Sequence, residues 1–339
     1  MIEKPDKLID PPNSGFSIVD LLSDVLAAMR LSGAVFLDAE FTAPWCVKSQ
    51  LGPEDCKPFF AQPTHLIGYH FVTEGHLICE VEGMPRVEAG PGDILLLTRN
   101  DPHVLGSEIM ADAVSGRDLV TPPEGGLAQM ATLRHGGGGE RTAMFCGFLG
   151  TESPMTSVLS GLPSLLKITT PAGARREWMI SSMHYAAEEA RVGSAAAVAR
   201  LVDLLFAEAV KQHADNLPSG EGGWFAALRD PAISRALALI HERYAEDWTA
   251  DLLAREAGMS RSAFADRFTD LMAEPPMRYC ARWRMQVAAN LLRDEQQNIA
   301  NVAYHVGFNS EAAFSRAFKR EYGAPPAMWR KQLVAMPPA

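Results

Sequence analysis

The spacing of apolar residues changes along the chain and separates a strand-rich part from a helical part. Between residues 33 and 106, short apolar runs such as 77–81 and 94–98 are divided by turn residues such as those at 90–92. Short strands with turn signals at this interval predict an antiparallel barrel or jelly roll. From Trp178 onward the apolar residues recur at helical spacing instead. The predicted fold class is therefore α+β, with a β-barrel first and helices after it.

The segment 195–210 is rich in strong helix formers and carries one broad apolar face. The residues of this face are Val198, Leu201, Val202, Leu205, Phe206 and Ala209. Two interpretations remain open, since the face can pack against its own barrel or pair with a second copy of the chain. The polar, glycine-bearing segment 214–223 is predicted to be a linker. We therefore expect a barrel domain at 1–165, a helical dimerisation region and linker at 166–224, and an all-α domain at 225–339.

The helical domain contains an internal repeat of two copies. Four anchor positions recur in the same order, with offsets of 49 and then 50 residues: Ala254, Gly258, Phe264 and Phe268 return as Ala303, Gly307, Phe314 and Phe318. The small alanines allow close helix packing, the glycines suit a tight turn, and the phenylalanines form an inward stripe at i and i+4. Each copy therefore predicts a helix-turn-helix, whose second helix enters a major groove of DNA. A longer helix predicted at 275–292 would hold the two copies at a fixed separation.

Residues 231–333 resemble the double helix-turn-helix domain of AraC/XylS-type transcriptional regulators, and 306–326 is similar to that family's signature almost throughout. In the barrel, Tyr69 to Gly75 and Pro91-Gly-Asp93 followed by Pro102-His103 resemble the two motifs of the cupin family. The combined resemblance implies a cupin-like effector domain ahead of a DNA-binding domain. It also implies a homodimer that acts mostly as an activator, with RNA polymerase as a partner.

The charge distribution agrees with a DNA-binding C-terminus. The whole chain has a net charge of −10, yet residues 258–339 hold 11 basic and 7 acidic side chains, a balance of +4. Only this part has the electrostatic footprint expected for phosphate contacts.

The outward positions of the two second helices are the predicted DNA contacts. They are Arg261, Ser262, Asp266 and Arg267 in the first copy, and Ser310, Glu311, Ser315 and Arg316 in the second. Arginine can bind guanine O6 and N7, whereas a carboxylate can accept from cytosine N4. Lys319 and Arg320 are assigned to phosphates. Asp266 stands where such regulators often carry a basic or neutral residue, which places its base contact in doubt.

The barrel supplies histidines but lacks the His-x-His pair that begins the usual cupin metal motif. His65 and His70 are five residues apart and would point to opposite faces of one strand. We therefore expect no catalytic residues and no enzyme, and we assign His70 and His103 to effector contact. For His103, a hydrogen-bonded histidine at a strand end is an equally ordinary role.

The cysteines leave an alternative open. Cys46, Cys56 and Cys146 could form a zinc site with His70 and His103, or two of the thiols could act as a redox switch. Both would make the protein a thiol- or metal-responsive regulator. A metal-dependent cupin enzyme fused to a DNA-binding module is a weaker alternative. No cofactor follows with certainty from the sequence.

No apolar run approaches the roughly 20 residues of a membrane span, and the N-terminus lacks the apolar core of a signal peptide. We therefore expect a cytoplasmic protein. Its predicted function is transcription regulation, with double-stranded DNA, a small-molecule effector and a second copy of the chain as partners.

Overall fold

The computed structural model describes residues 18–29, 31–52, 55, 65–121, 130–151, 153, 157–170, 172–191, 196–217, 223–293 and 297–334. Cys56, one of the predicted thiol ligands, lies outside these ranges.

Twelve strands are described, and they form two sheets. In chain order they are β1 Ser32–Thr42, β2 Cys46–Ser49, β3 His65–Glu74, β4 Leu77–Val81, β5 Val87–Ala89, β6 Asp93–Leu97, β7 His103–Gly106, β8 Val114–Ser115, β9 Val120–Thr121, β10 Ala131–Gly136, β11 Arg141–Thr151 and β12 Leu165–Thr169. The larger sheet has the order β12-β6-β3-β11-β1-β10-β9, and the smaller has β5-β4-β7-β2-β8. Pairing is antiparallel except for β1 with β10 and β2 with β8.

The inner faces of the two sheets share one apolar core. Leu37 and Met144 of the larger sheet are buried in the same cluster as Val47, Leu77 and Leu105 of the smaller one. Two sheets that pack face to face through alternate residues form a sandwich, which matches the jelly-roll form of the prediction. The predicted strand at 77–81 coincides with β4, and the one predicted at 94–98 corresponds to β6, which ends one residue earlier.

The helices follow the barrel, apart from the first and two single turns. They are α1 Ile18–Met29, α2 Gly116–Leu119, α3 Ser157–Ser160, α4 Ala174–Arg191, α5 Ala196–Asn216, α6 Trp224–Arg229, α7 Pro231–Glu242, α8 Ala250–Glu256, α9 Arg261–Met272, α10 Pro276–Leu292, α11 Ile299–His305, α12 Glu311–Tyr322 and α13 Pro326–Val334. α4 and α5 pack on each other and on β1.

This packing decides between the two interpretations of the apolar face on α5. Phe206 and Ala209 are buried, and Leu205 packs against the same core, which also contains β-strand residues of the chain's own barrel. Leu204, on another side of the helix, is 69% exposed. The described part of the predicted dimer face therefore packs within the chain, and a second copy cannot use it.

The doubled unit forms two helix-turn-helix motifs, α8–α9 and α11–α12, joined by α10. The four anchor phenylalanines are fully buried, as the inward stripe predicted. Gly307 adopts a φ of +82°, and a Cβ there would lie 2.4 Å from the backbone oxygen of Ala245. This turn therefore excludes any side chain, both by its backbone conformation and by its close packing.

α1 lies in the predicted barrel domain by sequence but packs mainly elsewhere. It contacts α5 and also α6, α7 and α10 of the DNA-binding part. Its apolar residues Leu22, Val25 and Leu26 belong to a core that continues into α7 and α10. The two parts of the chain are thus joined by a shared buried interface.

Candidate functional site

Both arginines of α9, the second helix of the first helix-turn-helix, lie beside carboxylates. Ser260 caps α9 by accepting from the Ala263 amide at 3.3 Å, and Arg261 lies 3.5 Å from Asp251 of α8. Ser262 and Asp266 are exposed on α9. Because α9 carries two arginines and two aspartates, it presents no net positive charge to DNA.

Arg267 has a structural partner that the sequence did not reveal. Its Nε donates to Asp230 Oδ2 at 2.9 Å, while Asp230 Oδ1 accepts the amides of Ala232 and Ile233 and so caps α7. Burial opposes the ionisation of Asp230, but the Ile233 amide and Arg267 outweigh it and hold the pKa of this carboxyl below its usual value. Arg267 therefore also supports a helix cap 37 residues earlier in the chain, and its predicted base contact stays a prediction.

The second helix-turn-helix carries three exposed cations on α12. Arg316, Lys319 and Arg320 are exposed on α12, and they form no ion pair with any residue that the structure describes. Glu311 is exposed in the first turn, and Ser315 is half-buried. This helix can therefore offer several uncommitted positive charges to a phosphate backbone or a base edge.

Ser310 has a local role beside its predicted contact. Its Oγ accepts from the Ala313 amide at 3.3 Å and caps α12. The hydroxyl hydrogen and the second lone pair of the oxygen are left for a contact with DNA.

A cavity of about 940 Å³ lies between the two sheets of the barrel. Its apolar lining comes from both of them and includes Leu37, Phe41, Val47, Leu105, Leu133 and Met144. His70, His103 and Cys146 also line it and are buried. A largely apolar pocket with a few convergent polar groups is the usual form of a small-molecule site.

These three polar residues form a continuous linear chain of hydrogen bonds that ends at the Asp101 carbonyl oxygen. His103 Nδ1 lies 3.0 Å from the Asp101 carbonyl oxygen, which can only accept, so Nδ1 donates. In a neutral ring His103 Nε2 then accepts, and His70 Nε2, 2.8 Å away, is its donor. His70 Nδ1 is left as an acceptor for the Cys146 thiol at 3.0 Å. Every ring nitrogen in the chain is thereby engaged.

The environment keeps the chain uncharged. Burial, together with His103, holds the pKa of His70 well below its usual value. Burial also lowers the pKa of His103, although the Asp101 carbonyl and carboxylate oppose this shift. Burial and then Asp38 raise the pKa of the Cys146 thiol. The sulfur is therefore held as a protonated donor, which is the unreactive form of cysteine.

The same geometry bears on the predicted metal site. Cys146 and His103 contact opposite nitrogens of the His70 ring, so the three groups do not face one point. Cys46 Sγ instead accepts the Met110 amide at 3.3 Å. Within the described ranges, no group of three or more His, Cys, Asp or Glu side chains is arranged to hold a metal. These residues do not fit zinc as a ligand set.

Two kinds of site feature escaped the sequence analysis, which had named Cys146 as a possible thiol ligand but not its hydrogen bond to His70. Cys146 is the direct pairing partner of His70 across β11 and β3, 76 residues apart, so only the sheet register brings them together. The apolar wall of the cavity is the second kind, because an inward residue of a barrel looks the same in sequence whether it fills the core or lines a cavity. His70 and His103, which stand in the two cupin-like motifs, were predicted as effector contacts, and both line the cavity.

None of the described helices is both long and apolar enough to cross a membrane.

Comparison with known proteins agrees with both halves of this architecture. A cupin family model matches residues 20–215, and a helix-turn-helix domain model matches 253–332. A putative AraC-like transcription regulator from Streptomyces lividans is 28% identical over 92% of this chain and 98% of its own length. The regulator AlkR of Acinetobacter baylyi is 36% identical over 52% of this chain and 58% of its own.

Among solved structures, the DNA-binding domain of AdpA in complex with a target DNA is 30% identical. It covers 31% of this chain and 95% of its own, with a TM-score of 0.30. ToxT from Vibrio cholerae is 12% identical and covers 90% of this chain and 98% of its own, with a TM-score of 0.35. Because the cupin match spans more than half of the chain and the helix-turn-helix match follows it, this protein belongs to the AraC-type transcriptional regulators with an N-terminal cupin domain.

Proposed function

We propose that a small organic molecule, bound in the cavity between the two sheets, controls how this regulator binds DNA. The observation that carries the proposal is the 940 Å³ cavity, whose lining strands β1 and β11 are also the central strands of the larger sheet. A ligand there shifts DNA binding only by preferring one conformation of the chain over another.

The polar groups of the cavity favour an uncharged, mainly apolar ligand. The His70, His103 and Cys146 chain is neutral and already satisfied, so it neither attracts an ion nor requires a polar group. The ionisable lining residues are Lys48, Asp55, Glu80, Glu82 and Arg117, which together carry no positive excess. Arg117 is paired with Asp55 at 2.6 Å, and Glu80 with Arg86.

Ligand charge can be tested by displacing the neutral fluorescent probe Nile red from the purified full chain. 1-Decanol should displace the probe at a concentration at least about tenfold lower than decanoate or decylamine, because burying an unpaired charge costs several kcal/mol. Leu133→Trp, which fills the cavity, should lower probe binding, whereas the exposed Glu108→Trp should not. Equal or better displacement by decanoate would exclude an uncharged ligand. Unchanged probe binding in the Leu133→Trp protein would exclude the cavity as the binding site of the probe.

We also propose that the second recognition helix, α12, supplies most of the DNA affinity. Arg316 is assigned to a base edge, and Lys319 and Arg320 to phosphates, with Glu311 and Ser315 beside them. Support comes from their exposure and their freedom from ion pairs among the described residues. In α9, Arg261, Ser262, Asp266 and Arg267 remain assigned to the neighbouring groove segment.

Homodimerisation is proposed through the outer face of α4 and α5. Trp178 and Tyr185 lie seven residues apart on α4 and are each 62% exposed, and Leu204 on α5 is exposed as well. Large apolar side chains left in water on one helical hairpin are typical of an interaction surface. A second copy is the occupant that accounts for them through the symmetry of a closed dimer.

Sedimentation velocity tests this dimer. The double variant Trp178→Glu with Tyr185→Glu should shift the protein to the monomer, because each glutamate would place a charge in the apolar contact. Met328→Glu, at an exposed apolar residue of α13, is the matched control and should remain dimeric. A wild-type monomer at micromolar concentration would rule out the assignment.

Activation of transcription and contact with RNA polymerase complete the proposal, on the strength of the family membership alone. A reporter gene fused to the DNA that the protein selects should rise with the protein present. A fall in reporter output would make the protein a repressor.

A further inference from the structure

The side chain of Gln286 lies at the centre of the interface between the barrel and the DNA-binding domain. It stands on α10, the helix that joins the two helix-turn-helix motifs, and it is only 3% exposed. A buried amide requires hydrogen-bond partners, since an unmet donor or acceptor away from water is costly. Gln286 is neither a DNA-facing residue nor a cavity residue, so the proposed function does not account for it.

Its partners come from three separate parts of the chain. Gln286 Nε2 donates to the Ala28 carbonyl oxygen at 2.6 Å, which fixes the orientation of the amide. Its Oε1 accepts from the Ser153 hydroxyl at 2.5 Å and from the Tyr322 hydroxyl at 3.1 Å. Asn290, one turn further along α10, donates to the same Ala28 oxygen at 3.0 Å.

Two of these partners stand at the ends of the strands that line the cavity. Ala28 is near the end of α1, and β1 begins four residues later, before its cavity residues Leu37 and Ala39. Ser153 follows β11, which carries the cavity residue Cys146.

A further set of bonds joins these two strand ends to each other. The Thr151 hydroxyl donates to the Met29 carbonyl at 2.7 Å and accepts from the Ser153 amide at 3.0 Å. The barrel therefore presents Ala28 and Ser153 to Gln286 as one connected unit.

The third partner belongs to the second recognition helix. Tyr322 is the last residue of α12, and its ring stacks on the buried Phe318 at 4.6 Å. Arg316 and Lys319 are on the same helix. The hydroxyl bond to Gln286 thus connects the barrel to the helix that carries the free cations.

We infer that Gln286 is a positioning residue, which sets the second helix-turn-helix relative to the barrel and thereby determines how α12 meets DNA. The inference rests on the proposed role of α12 in reading DNA. Hydrogen bonds of fixed direction to three elements specify one arrangement more narrowly than apolar contacts do, because the hydrophobic effect has no preferred direction. Two cavity-lining strands, β1 and β11, thus lie next in the chain to Ala28 and Ser153. These two residues bond to Gln286, which in turn bonds to Tyr322 of α12.

The test compares full-length variants by selecting bound sequences from random DNA and by measuring affinity for the wild-type site. Gln286→Met keeps the size of the side chain and removes its hydrogen bonds, and Ser153→Ala removes only the bond from the barrel. Both variants should lose base preference in the half-site read by α12 and retain it in the half-site read by α9. The loss of affinity should be about fivefold for Ser153→Ala, as for one ordinary hydrogen bond.

Tyr279→Phe serves as the structural control, because it removes a buried bond to His241, at 2.8 Å, that has no link to the barrel. It should lower the melting temperature and leave the α12 half-site preference unchanged. Unchanged preference in a folded Gln286→Met protein, or equal losses in both half-sites, would overturn the inference. A Ser153→Ala protein with wild-type preference would overturn the part assigned to the barrel. If the wild-type protein shows no base preference at a second half-site, the proposed role of α12 in reading DNA is wrong, and the role of Gln286 is then not the cause of the failure.

Discussion

Replacing Arg316 with alanine is expected to weaken binding to the selected DNA site by about 5- to 150-fold, the equivalent of 1–3 kcal/mol for a bidentate base contact. Arg316 is exposed on α12 and pairs with no other residue that the structure describes, so its guanidinium is free to bind guanine. Base preference should relax at one position only. Electrophoretic mobility shift with the wild-type site and its single-base variants measures both effects.

Two comparisons make the Arg316 result specific. Lys319→Ala should weaken binding about equally for all sequences and reduce the salt dependence by about one phosphate contact. Asp266 occupies the position of the first unit that corresponds to Arg316, and its carboxylate can accept from cytosine N4. Asp266→Ala should therefore relax base preference at one position of the segment read by α9 and leave the segment read by α12 unchanged. An Arg316→Ala protein with wild-type affinity and base preference would remove this residue from the interface.

Gly307→Ala is expected to destabilise the protein by about 2–4 kcal/mol, because backbone strain and overpacking act together. The φ of +82° is unfavourable for alanine, and the new methyl group would lie 2.4 Å from the Ala245 oxygen. One atom of this contact is a backbone oxygen and the other is a Cβ, which is fixed by the backbone. No side-chain rotation can therefore relieve the contact. Urea unfolding followed by far-UV circular dichroism measures the change in free energy.

The corresponding glycine of the first unit provides an internal control. Gly258 has a φ of +70°, but a Cβ there would meet no atom within 4 Å. Gly258→Ala should therefore cost only the conformational strain, about 1–2 kcal/mol. Equal losses for the two variants would show that crowding at Gly307 has no energetic effect.

The doubled unit was predictable because its information is local. The spacing of Gly258, Phe264 and Phe268 specifies a turn and a buried helix face without reference to any distant residue, and Gly307, Phe314 and Phe318 repeat it. The structure places the four phenylalanines in the core and both glycines at positive φ. Short strands in the barrel were predictable for the same reason.

The exposure of the proposed DNA contacts was predictable, but their pairing with other side chains was not. Periodicity showed which side chains point away from the core, and Arg316 and Ser262 are indeed exposed. It could not show that Arg267 has a partner, because Asp230 lies on a loop before another helix. Exposure is set within one helix, whereas pairing depends on how separate helices pack.

The sequence by itself determined the class of the protein: a strand-rich cupin domain, helices, and two helix-turn-helix units in the one basic part of an acidic chain. These features depend on residues close in sequence and on the periods of helix and strand. Only the tertiary structure decided that α5 packs on its own barrel, that Cys146 donates to His70, and that Gln286 joins the two domains. Each of these contacts joins residues far apart in the chain, so it depends on sheet register and domain packing, which no local pattern of side chains specifies.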